Sequence, residues 1–196
     1  MSAATATPPP AQPPAPPRLM TADEFMAGPG ADPGFDLLDG VPTRVPMPHR
    51  YHGVVAIRMA RAVGNFVDDN DLGRVMGNDT HVRVGRHPDR LRGADLLFVS
   101  YTHLPRGPFP DGVQDPPFEL VVEVRSPSAT WSDEVRKCFE YLDAGVQAAV
   151  LLDIDTQTAS VFRTHAVQEV FRAADTLTLP DVLPGFGVPV ARLFKV

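Results

Sequence analysis

The longest unbroken patterns of apolar residues fall in the middle of the chain. FELVVEVR (118–125) and AAVLLDI (148–154) are runs rich in Val and Leu and bounded by Pro, Ser, Gly or Thr, which predicts buried strands. RVMGNDTHVRV (74–84) and GADLLFVS (93–100) predict two further strands before them. Two segments change period. Val55, Met59, Ala62 or Val63 and Phe66 recur at helical spacing and predict a helix over 49–67, with Arg58 and Arg61 on its solvated side. Val135, Cys138, Phe139 and Leu142 predict a second helix from Trp131 to Ala144, closed by Gly145.

Nearer the N-terminus, Thr21-Ala-Asp-Glu24 is a capping box for a short helix over 22–27, with Met20 and Phe25 as its hydrophobic staple. Asp39-Gly40 between two apolar runs predicts a β-hairpin, and Pro42 and Pro46 confine its second strand to a sheet edge. Residues 158–163, 166–172 and 186–194 read as more strands or hairpins. The order helix, three strands, helix, strand predicts an α+β fold: one mixed sheet with helices against it and extra β-hairpins. The last strand follows a helical crossover, so it can lie parallel to a neighbour.

Composition adds a boundary. Residues 2–17 hold seven of the 22 prolines among Ala, Ser and Thr. Such a segment cannot bury a core, which predicts a disordered tail over 1–18 and one ordered domain over 19–196. No window approaches the roughly 18 apolar residues of a membrane span, and no basic segment leads an apolar core at the N-terminus. The single cysteine, Cys138, rules out an internal disulfide framework and suits a reducing, cytoplasmic location. The net charge of −6 argues against a binder driven by a basic footprint, although a local basic patch or a metal-neutralised site stays open.

Glu123 is the position that composition does not explain, because a charge in a buried strand is expensive unless paired. Strand alternation puts Asp95, Leu97 and Val99 on one face, Ala94, Leu96 and Phe98 on the other, and Glu119, Val121, Glu123 and Arg125 together. If the two strands pair, Asp95 and Glu123 meet. A divalent cation between them would resolve their repulsion, oxygen donors suiting Mg²⁺ or Mn²⁺. Alternatively each pairs with an arginine such as Arg92 or Arg125. Lys137 lies off its helix's apolar stripe and by pattern alone is a surface lysine, with Asp133–Lys137 and Arg136–Glu140 as simple i,i+4 pairs. Asp79 reads as part of a turn. No nucleophile elbow, phosphate-binding loop or zinc spacing is present.

The sequence as a whole resembles a known family. FDLLDG, a helix bearing His52, GADLLFVS, then LVVEVRSPS followed by Asp133, Lys137, Tyr141 and Gly145-Val146, is similar to the Uma-two family of bacterial restriction-type endonucleases. That family lies within the PD-(D/E)XK nuclease superfamily, and the resemblance spans about residues 20–195. It implies a restriction-endonuclease-like core and a metal-dependent endonuclease acting on DNA. Asp95, Glu123 and the Val124 carbonyl would hold Mg²⁺ or Mn²⁺, which activates water. Lys137 would orient that water or stabilise the transition state.

Asp36, His52, Arg125 and Tyr141 are secondary site candidates. The edge strands and the resemblance also imply a homodimer. Three positions depart from the family pattern. Ala94 replaces a proline, and Asp36 stands where glutamate is commoner. Arg125 occupies the lysine position of an ordinary E-x-K strand, where it either clamps phosphate or pairs with Glu119 or Glu123. Two other functions are kept: a catalytically inactive binding or regulatory module on the same fold, and a two-carboxylate glycosidase.

Overall fold

The computed structural model describes residues 18–195, apart from 33, 47, 48, 111, 114, 116, 127 and 128. The Pro-rich tail before residue 18 lies outside them, as do Pro127 and Ser128 of the turn that ends the central strand. The elements run α1 (Ala22–Met26), β1 (Phe35–Leu38), β2 (Val41–Arg44), α2 (Arg50–Asp69), β3 (Gly73–Gly85), β4 (Arg90–Ser100), β5 (Leu120–Arg125), α3 (Trp131–Asp143), β6 (Ala148–Asp153), β7 (Thr158–Phe162), β8 (Glu169–Phe171), β9 (Thr176–Leu179), β10 (Leu183–Pro189) and α4 (Val190–Phe194). The stretch from α2 to β6 is the expected helix, three strands, helix and strand. Among the described residues no helix is long and apolar enough to cross a membrane.

Local chemistry accounts for several of these elements. Thr21 and Glu24 form both halves of the capping box on α1. Asp39 and Gly40 both have positive φ, the backbone that a two-residue hairpin turn demands. Thr130 caps α3 by accepting from the Asp133 amide. Gly73 is required by proximity: a Cβ there would stand 2.1 Å from the Val99 carbonyl oxygen, main chain that cannot move aside. Gly73→Ala is therefore expected to lower stability by about 1–3 kcal/mol, as overpacking does, measured by chemical denaturation.

Eight strands form one sheet, in which β2, β1, β4, β5, β6, β7 and β8 follow in order and β3 lies on the other edge of β4. The ladder is antiparallel except between β5 and β6, the pair joined through α3. One face of the sheet packs on α2, α4 and the β9–β10 hairpin, through Val55, Met59, Leu96, Val122, Leu152, Leu183 and Phe194. The other face packs on α3, through Leu97, Val121, Tyr141, Cys138 and Leu151.

The differences from the sequence reading have local causes. Residues 190–194 close the fold as a helix rather than a strand, and Thr176–Leu179 form a strand that the reading passed over. Phe139, placed in the apolar stripe of α3, is 47% exposed and meets only the edge of Phe162, whereas Tyr141 is wholly buried. Ala94 clusters with Leu97 and Val99, not with Leu96 and Phe98. Strict alternation fails there because β3 bulges: Gly77 pairs Leu96 and Thr80 pairs Ala94, so Asn78 and Asp79 together face Asp95.

Candidate active site

One edge of β4 is shared by two strands lying end to end. β1 pairs there at Leu91 and β5 at Leu96–Phe98. Between those contacts the main chain of β4 is served by side chains instead of a ladder. The Gly93 amide donates to Asp36 Oδ1 at 3.0 Å, and the Gly93 carbonyl accepts from Lys137 Nζ at 2.9 Å. On β5, the Val124 amide donates to Asp95 Oδ2 at 2.8 Å. The result is a cleft of about 300 Å³ lined by Asp36, His52, Asp79, Gly93, Asp95, Glu123, Val124 and Lys137, among others.

The cleft brings together Asp95 and Glu123, singled out by strand alternation, with Lys137, His52 and Tyr141, singled out by the resemblance. Glu123, 3% exposed, takes Lys137 Nζ on Oε2 at 2.9 Å and the Tyr141 hydroxyl on Oε1 at 2.7 Å. Asp95 is its neighbour across the β4–β5 pair and meets His52 Nε2 at 3.2 Å. Burial drives the Glu123 carboxyl up to about 8; the Lys137 ammonium opposes this and the Asp95 charge adds to it. Burial works against the charge on Lys137, yet Glu123, Asp36 and Glu134 together hold its pKa above the ordinary lysine value. His52 follows the same logic. Burial opposes its charge, but Asp95, Glu123 and a hydrogen bond to the Val124 backbone raise it. Asp79 is pushed up by burial and by the charge on Asp95.

Lys137 is therefore not a solvated surface lysine. Its stem crosses from α3 to the sheet and abandons Asp133, which pairs with Arg136. Glu140, paired on paper with Arg136, instead takes Arg92 through two nitrogens, at 2.7 and 3.1 Å, and Arg90 at 3.2 Å. Buried partners win over exposed i,i+4 partners, because water screens the latter.

Arg125, weighed as a phosphate clamp or as the partner of Glu119 or Glu123, turns to Asp153 and Asp155 and does not line the cleft. Glu119 is held instead by His103 and the Ser100 amide. Asp36 sits at the cleft wall but is tied to Arg92 Nη1 at 3.0 Å as well as to Gly93. Arg92 binds Asp36 and Glu140 rather than Asp95 or Glu123.

Sequence reasoning missed the Gly93 backbone, the Arg92 brace and Glu134, and it assigned Asp79 to a turn alone. The bulge was signalled only by Gly-Asn-Asp inside a strand pattern. Glu134 lies one turn before Lys137, and its pKa is raised by burial and by Asp95 while Lys137 opposes the rise.

The donor chemistry fits a hard divalent ion. Two carboxylates and a main-chain carbonyl are all oxygen donors, and a cation would offset the burial and the Asp95 charge that raise Glu123. Among the described residues no three His, Cys, Asp or Glu side chains form a metal cluster by themselves. Side chains alone therefore do not complete a metal site here, and further oxygen donors such as main-chain carbonyls and water would be needed.

The model of the Uma2 family, described as "Putative restriction endonuclease", matches residues 22–191. Comparison with curated proteins finds no match. Among solved structures, a crystal structure described as a "putative nuclease belonging to DUF820", from Anabaena variabilis, superposes with a TM-score of 0.77. It is 22% identical, and the match covers 90% of this chain and 98% of that one; at this identity the likeness is one of fold.

Proposed function

Because the chain belongs to the Uma2 family, we propose that it is a divalent-metal-dependent endonuclease that hydrolyses phosphodiester bonds in DNA. The observation that carries this reading is the convergence of Asp95, Glu123 and Lys137 in one cleft, from two strands and a helix. Asp95, Glu123 and the Val124 carbonyl would hold Mg²⁺ or Mn²⁺, which supplies Lewis acidity toward a phosphoryl oxygen.

The remaining work belongs to side chains. Lys137, anchored by Gly93 and Glu123, presents an ammonium to the negative charge that grows on phosphate during attack. Tyr141 fixes the Glu123 carboxyl from the core side. His52 and the Val124 amide fix Asp95, and Asp36 with Arg92 fixes Gly93. Such preorganisation matters because attack requires reacting atoms held within a narrow range of distance and angle. Asp79, beside Asp95, adds negative charge to the same wall.

The test is cleavage of supercoiled plasmid, linear duplex and single strands with Mg²⁺ or Mn²⁺. The wild type is expected to cut at least one of them and Glu123→Gln none above background. A wild type inactive on all of them, or a Glu123→Gln variant as active as the wild type, overturns the assignment.

One observation favours a second reading, a nuclease fold that binds without cutting. Both Glu123 oxygens are already engaged by Lys137 and Tyr141, and burial raises its pKa, which disfavours the charged form that a metal ion would need. On that reading, calorimetry with Mn²⁺ detects no binding that depends on Asp95 and Glu123.

A further inference from the structure

Along α2, away from the cleft, lies a second concavity of about 520 Å³ between that helix, the end of β10 and α4. The Tyr51 hydroxyl donates to the Phe194 carbonyl at 2.6 Å, tying α4 to α2. Its lining includes Arg58, Arg61, Arg192 and Lys195, together with Asn65 and no carboxylate. In a chain of net charge −6 that concentration stands out.

Many arginines elsewhere in the fold are neutralised: Arg83, Arg90, Arg92, Arg125 and Arg163 each lie within ion-pair distance of a carboxylate, whereas those without such a partner, Arg74 among them, lie apart from one another rather than in one pocket. None of the four cations in this pocket has such a partner among the described residues. Arg58 Nη1 is shielded from solvent with no hydrogen-bond acceptor. A buried charged donor left unmet is costly, so the pocket suits an anion that the described residues do not supply. Guanidinium forks match phosphate oxygens in pairs.

Arg58 and Arg61 follow His52 by six and nine positions on α2, which places them about 9–14 Å further along the helix axis and on a different face of the helix.

We propose that this pocket is a phosphate site that grips the sugar–phosphate backbone of substrate DNA away from the bond cut in the cleft. The assignment rests on the nuclease reading above. The site supplies sequence-independent affinity and sets the register of the duplex on the protein.

The test is binding of a fluorescent duplex to the full chain in EDTA, which separates binding from cleavage, across a range of salt concentrations. Arg61→Ala/Arg192→Ala alters two exposed side chains and is checked for an unchanged melting curve. Its slope of log affinity against log salt is expected to be shallower than the wild type's by about two, since each phosphate contact contributes about 0.9. The loss should be the same for unrelated sequences, and Arg86→Ala, whose guanidinium is paired with Asp115, should behave as wild type.

A double variant with wild-type affinity and slope overturns the proposal, and it leaves the nuclease reading intact if Mn²⁺-dependent cleavage persists. A reduced slope in a protein that cuts nothing keeps the phosphate site and removes the nuclease. If inorganic phosphate binds by calorimetry and only that binding is lost in the double variant, the site takes a free anion and the DNA assignment falls.

Discussion

Lys137→Met is expected to slow DNA cleavage at saturating Mn²⁺ by about 10²–10³-fold, the range seen when one preorganised donor to a developing anion is removed. Methionine keeps most of the stem's length and volume, so the packing between α3 and the sheet survives. Two things are lost together. The ammonium that hydrogen-bonds Gly93 and Glu123 is gone, and Glu123 loses the positive charge that opposes its protonation. With only the Tyr141 hydroxyl left, the Glu123 carboxyl rises further and takes up a proton in the neutral range. One substitution thus disables a catalytic charge and a proposed metal ligand.

Stability should fall by less than the ~3–5 kcal/mol typical of a broken buried pair, because Glu123 escapes its charge by taking a proton. Lys137→Arg should not rescue cleavage, since a planar guanidinium does not reproduce one ammonium shared between a carbonyl and a carboxylate. Cleavage rates and denaturation curves on the same preparations check both effects. A Lys137→Met protein cutting at the wild-type rate would remove the lysine from the mechanism.

The largest loss of stability is expected from Arg92→Met, at about 3–5 kcal/mol by chemical denaturation. Arg92 spans three elements, reaching Asp36 on β1 and Glu140 on α3 from its place on β4. Burial works against its charge, but the two carboxylates outweigh that and hold its pKa above the ordinary arginine value. Removing it leaves Asp36, 2% exposed, with only the Gly93 amide, while Glu140 keeps Arg90.

The cost therefore lies mainly in the stranded Asp36 charge, and Asp36→Asn should recover part of it in the double variant. Asparagine can still accept from Gly93 and carries no charge to strand. A coupling of about 1 kcal/mol or more between the two substitutions would establish the link. Strict additivity would place the loss in Glu140 instead.

These two residues also mark where the sequence stops being legible. Asp95 and Glu123 could be paired on paper because both lie on strands whose alternation is visible, and strand pairing does the rest. The hairpin at Asp39-Gly40 and the caps at Thr21 and Thr130 were legible for a similar reason: each is a local chemical requirement. Lys137 was not legible. A helical projection shows only the residue's own neighbours, while its partners lie 14 and 44 positions away. Glu140 likewise exchanged an exposed neighbour for buried arginines on another element. Phe139 misled in the opposite direction, because hydrophobicity marked it as core while the sheet surface offered that place to Tyr141. The bulge at Asn78 and Asp79 shifted Ala94 out of phase, an offset that alternation counted along β4 alone cannot detect.

The Gly93 carbonyl bears on how such a site can drift over evolutionary time. One anchor of the lysine is main chain, and main chain persists when side chains change. The location of the ammonium is thus set in part by the geometry of the sheet, because the Gly93 carbonyl holds it whichever side chains surround it. Arg125, on the strand that bears Glu123, is left with a separate duty. Here that duty is a latch: Arg125 joins the end of β5 to Asp153 and Asp155 at the end of β6.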